Sequence, residues 1–181
     1  MVHPFLRAMV VPSLMALFPA LWFVNRNVTT AVLWPHLEPT ADVIVGAVVL
    51  AVLGALVVGV IGAALVRSVV GDRPGSFPAR VFVPDDRSLG VLAIWLVVIA
   101  GWAAVAMVDV GPFWLEYPFW PIVVVAGLPF LVLAPVAIHS WTAVVIGLVA
   151  CALWLSALSA VLADALESRE LVGERGERLG S

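Results

Sequence analysis

The polar positions of this chain are clustered, and between them lie long apolar runs. Residues 117–163 contain no Asp, Glu, Lys or Arg, and three further charge-free runs cover 8–25, 43–66 and 88–108. An uninterrupted apolar run of about 18 residues or more is long enough to cross the hydrocarbon of a bilayer as a helix. The run 43–66 extends about 36 Å as a helix, against about 30 Å of hydrocarbon, and so spans with some tilt. The run 117–163 would extend about 70 Å and must fold back. Its only polar break near the middle is His139-Ser140. The pattern therefore predicts an all-α, polytopic integral membrane bundle of about five helices, at about 5–24, 43–66, 88–108, 121–138 and 141–163. Four crossings plus a re-entrant segment is the alternative, because Pro129 and Pro135 interrupt the fourth run.

Local signals refine these elements. Pro12 and Pro19 predict a kink in the first helix, and Phe18-Pro19-Ala20 lacks the small residues of a signal cleavage site, so this helix reads as an uncleaved anchor. Ser88, after Asp85-Asp86-Arg87, reads as the cap of the third helix. The connector 71–84 is rich in Pro and Gly and is expected to be non-helical. The bundle is expected to end near residue 166, with 167–181 a charged, frayed tail containing Gly173, Gly176 and Gly180.

Composition settles the class: 64% of residues are hydrophobic, 12% are charged and the mean hydropathy is +1.15, whereas soluble domains have about 45–50% apolar and about 25% charged residues. All 9 basic residues are arginine. A lysine-free, Ala- and Val-rich, mildly acidic chain resembles, in composition alone, membrane proteins of high-GC genomes and haloarchaeal ones in general character. The net charge of −3 lacks the clustered basic face that nucleic acid requires, and excludes that partner.

Arginine placement predicts orientation, because short Arg-rich loops stay cytoplasmic. Arg67, Arg73, Arg80 and Arg87 sit between the second and third runs. With five crossings in the cell membrane they share the inner side with Arg7 and the N-terminus, and the C-terminal tail lies outside. The sequon Asn27-Val28-Thr29 then falls outside, where glycosylation occurs.

Candidate chemistry is sparse. Ala47, Ala51, Ala55, Gly59 and Ala63 recur every fourth residue, a row that lets helix backbones approach in lipid and that reads as a packing seam. Gly46, Gly54 and Gly62 flank it. A weaker row, Ala152, Ser156 and Ala160, is expected to face the first, with Ser156 and Ser159 bonded to carbonyls one turn back on their own helix. Residues 109–121 hold five aromatics, which read as an interfacial belt, with Asp109 and Glu116 as polar contacts for a lipid-soluble ligand. His139 is an ionisable group within the longest apolar run and a candidate for a pathway.

The runs contain no carboxylate of the kind that ion-coupled transport places near midplane. The single Cys151 excludes an internal disulfide relay. His3, His36 and His139 lie in separate segments without metal-ligand spacing, and no phosphate loop or nucleophile elbow is present, so no metal, cofactor or catalytic residue is expected. The leading expectation is a structural or accessory membrane subunit, associating with copies of itself or a larger membrane partner. A solute facilitator or transporter subunit comes second, and an enzyme on a lipid-soluble substrate third.

Overall fold

The computed structural model describes residues 3–26, 40–70, 76–108, 120–137 and 140–179. They form seven helices: α1 (Pro4–Val24), α2 (Ala41–Val70), α3 (Phe77–Phe82), α4 (Asp86–Val108), α5 (Trp120–Ala126), α6 (Leu128–Ala137) and α7 (Trp141–Leu179). Among the described residues there is no strand. Pro4–Val24, Asp42–Val70 and Trp141–Arg169 are each long and apolar enough to cross a membrane, and α4 adds 23 residues of similar character. The protein is a helical bundle of membrane type.

Each start has a local cause. Pro4 opens α1, where no backbone N–H is required, and the Nδ1 of His3 accepts from the Phe5 N–H at 3.3 Å. Ser140 caps α7, its Oγ accepting from the Ala143 N–H at 3.4 Å. The cap of α4 is Asp85, whose Oδ1 accepts from the Ser88 N–H at 2.7 Å, so the expectation that Ser88 itself caps is corrected. A carboxylate completes the first turn better than a buried hydroxyl because it carries charge toward the helix dipole. Helix α3 is a second correction: Pro78 falls in its first turn, where proline is tolerated, so the Pro-rich connector still makes a short helix.

A set of ion pairs gathers one end of the bundle. Arg7 pairs with Asp86 at 2.7 Å, Arg80 pairs with Asp164, and Arg87 lies 3.8 Å from Glu167. At the other end Trp22 of α1 meets Trp141 of α7 edge to face, with centroids 5.1 Å apart. Thus α1 and α4 run in one direction and α7 in the other. Residues 70 and 76 can be separated by at most about 20 Å of chain, so α2 finishes at the ion-paired end. The core lies between these ends, where Leu14, Leu92, Ala126, Ala152 and Leu155 meet.

The described geometry does not support five full crossings. Five full crossings would put Asp164 at the opposite end from Arg80, yet the two side chains are paired. The chain leaves α4 and enters α7 at the same end, so the stretch holding α5 and α6 departs from and returns to that end. Helix α7 continues to Leu179, 39 residues in all. Ala165, Leu166, Glu167, Arg169 and Glu170 are good helix formers, and the Arg80 and Arg87 contacts anchor the turn that leads into them.

Packing of α2 is one-sided. It rests chiefly on α1, while α7 packs on α1, α3, α4 and α6. Ala55, Gly59 and Ala63 are buried and Ala47 and Ala51 half-buried. A Cβ on Gly62 would overlap the Pro12 ring, and one on Gly59 would overlap the Ser13 side chain and lie 3.2 Å from the Met9 carbonyl. Around Gly46 and Gly54 there is nothing within 4 Å. The outward side exposes Leu50, Leu53, Val57, Ile61 and Leu65, a surface suited to lipid and not to water.

Candidate functional site

Two features stand apart from plain helix packing, and the first is the polar end. Arg80 is carried by α3 into reach of Asp164, which extends from α7 just past its last buried turn. Ser156 Oγ donates to the Val81 carbonyl at 2.6 Å, so this hydroxyl clamps α7 to α3 and does not bond within its own helix as expected. Ser159 does bond within its helix, donating to the Leu155 carbonyl at 2.7 Å. The Ala152, Ser156 and Ala160 row is buried, and its Ser156 reaches the connector and not α2. The Asp164 hydrogen bond raises the Arg80 pKa above its already high ordinary value, so the guanidinium stays charged. Burial pushes the Asp85 carboxyl upward. The backbone and hydroxyl of Ser88, with the charges of Arg80 and Arg7, overcome this and hold it below the usual carboxylate range. Most of these pairs are well exposed, and exposed pairs contribute about 0–1 kcal/mol each. The end is a set of ties between elements, with its charges directed at one another.

The second feature is a helix break. Gly127 separates α5 from α6, and Pro129 stands in the first turn of α6. Without an N–H, Pro129 cannot take up the Val125 carbonyl one turn back. Trp154 of α7 does so instead, its indole Nε1–H donating to Val125 O at 2.9 Å. The Leu131 N–H then bonds the Gly127 carbonyl at 3.0 Å and restarts the ladder. Irregular backbone at membrane depth is tolerated only where such partners, or a cavity, accept it. Gly147 makes the contact feasible: a Cβ there would sit 2.9 Å from Phe130 Cδ2.

Beside the break lies a cavity of about 500 Å³ between α1, α4, α5–α6 and α7. Leu14, Phe18, Leu96, Ala126, Cys151 and Leu155 represent its walls, with Gly127 of the break among the lining residues. It opens onto the outer surface of the bundle, where Leu21 of its lining is exposed. Water finds no polar side chain with which to bond there, and needs two to four partners. The space is thus suited to hydrocarbon.

Asn27, Asp109, Glu116 and His139 are outside the described residues. The small-residue row on α2 lies against α1, away from the cavity. Cys151, read as a small buried hydrophobe, is free and forms part of the cavity wall. Sequence reasoning expected irregularity in this run from Pro129 and Pro135 but did not place the break at Gly127. It also missed Gly147 and the three ion pairs, which join residues far apart in the chain. No protein-family model, curated protein or solved structure matches this chain.

Proposed function

We propose that this is a small multi-pass membrane protein with a structural or accessory role, which associates with copies of itself or with a larger membrane partner. In this reading α1, α2, α4 and α7 cross the bilayer and α5–α6 forms a segment that enters and returns on one side. The observation that carries it is how the polar side chains are used. Arg7, Arg80 and Arg87 meet Asp86, Asp164 and Glu167, and the cavity walls are apolar. What the bundle presents to another molecule is a broad apolar flank, chiefly that of α2. The arginines of the connector favour placing the ion-paired end, and with it both termini, on the cytoplasmic side of the cell membrane.

Affinity purification in mild detergent, followed by identification of bound proteins, tests the role. A defined partner whose level falls when this chain is deleted supports it. Emergence as a lone, monodisperse chain with no effect of deletion on any membrane complex sinks it. The second reading, a facilitator or transporter subunit, draws support from the Gly127 break beside the cavity, since broken helices line substrate sites in transporters. It requires a water-accessible path near Pro129 and Pro135, which solvent-accessibility labelling of cysteines introduced there would detect.

A further inference from the structure

We propose that the cavity at the Gly127 break binds one hydrocarbon tail of a bilayer phospholipid. The walls supply the first reason. Leucine, isoleucine, alanine and phenylalanine side chains from α1, α4 and α7 converge there, and the least apolar side chain in the lining is the thiol of Cys151. The carbonyl freed by Pro129 does not call for water or a polar ligand, because Trp154 already occupies it.

Position is the second reason. The cavity runs along α1 from the core residue Leu14 to Leu21 in the last turn, and Leu21 is exposed. Exposed Leu128 and Leu131 border the break on α6. The mouth is thus continuous with the apolar surface that faces lipid, and it reaches inward to the core. Trp22 and Trp141 mark the same end of the bundle, and indoles favour the headgroup level of a bilayer. The tail enters the cavity while the headgroup stays at the surface, so the occupant is a membrane lipid and not a free apolar solute. This site stands whether or not the protein is an accessory subunit.

The test uses the full chain in nanodiscs containing a phospholipid with a diazirine near its tail terminus. The protein is transferred to detergent and washed before irradiation, so that loosely held surrounding lipid is lost. Adducts are expected on α7 around Leu148, Cys151 and Leu155, and not on the exposed α2 face around Leu50 and Leu53. Ala100→Phe, which fills the cavity, should lower the α7 adducts about tenfold, the loss expected when a ring displaces a few buried methylenes. Leu148→Ala, which widens it, should raise them and independently covers the case in which Ala100→Phe fails to fold. Alkylation of Cys151 should be slower with the tail bound than after delipidation. Equal loss of adducts from α7 and α2 on washing overturns the site. So does displacement of the phospholipid by an equal concentration of free fatty acid or isoprenoid, which would assign the cavity to a free ligand.

Discussion

At the scale of single residues, Asp85 shows how one carboxylate joins a local cap to the tertiary ties. It closes the first turn of α4 and lies within the field of Arg80 and Arg7. Its folded pKa is depressed, so the stability it contributes is fully present above the unfolded value near 4 and is lost as pH falls through the lower folded value. Asp85→Ala should therefore cost about 1 kcal/mol at neutral pH, the usual cost of a lost cap, and the gap to the parent protein should close on acidification. Thermal unfolding in detergent from pH 7 to pH 2 reads this, and a gap that stays constant would refute it. Trp154 makes a parallel case on the apolar outer surface of the bundle. Trp154→Phe keeps an aromatic ring but strands the Val125 carbonyl, which should destabilise by about 1–3 kcal/mol. A second change, Pro129→Ala, restores an N–H for that carbonyl and should recover part of the loss, whereas no recovery would mean that the indole acts through packing alone. Neither residue's role was legible in the sequence: Trp154 read as one more apolar position, because its partner is a carbonyl freed 25 to 29 positions earlier by another element's proline.

At the scale of elements, helix existence was legible and helix use was not. The runs 8–25, 43–66 and 88–108 appear as α1, α2 and α4 because apolar length alone forces backbone hydrogen bonds to close within each segment. Which face of α2 is buried depends on α1, and in particular on the bulk of Pro12 and Ser13 opposite Gly62 and Gly59. Gly62→Leu should therefore force the two helices apart and destabilise the single chain by about 1–3 kcal/mol or more. Gly54→Leu, with open space around it, should change stability by no more than about 0.5 kcal/mol. Thermal midpoints of the monomeric protein in detergent separate the two. Equal midpoints would remove the α1–α2 seam, and a change in oligomer size alone for Gly62→Leu would move that seam between protomers. The break at Gly127 was half legible: Pro129 and Pro135 foretold irregularity, but the interruption falls at the glycine, since Pro129 is accommodated at the start of the next helix.

At the scale of the whole molecule, which residues share an end of the bundle is the feature on which the run count and the structure part. Counting apolar runs puts the start of the C-terminal tail across the bilayer from the basic connector, whereas Arg80 with Asp164 and Arg87 with Glu167 bring the two together. Cysteines introduced at Ser76 and at Ser168, in a Cys151→Ser background, should react with a membrane-impermeant thiol reagent from the same side of sealed vesicles. Labelling from opposite sides would overturn this arrangement. Weakening the tie by Asp164→Asn should cost no more than about 1 kcal/mol, as for an exposed pair, without reversing the labelling, because lipid-facing length and not the pair holds the helices across the bilayer. By itself the sequence determined the solvent of this protein, the helical state of its chain and the approximate start of each long helix, since these follow from apolar length and from the cost of unpaired backbone groups in hydrocarbon. Only the tertiary structure decided which ends of the helices meet, which small residues meet a neighbour and where a cavity remains. Those outcomes depend on contacts between residues distant in the chain, which hydropathy, summed along a helix, does not encode.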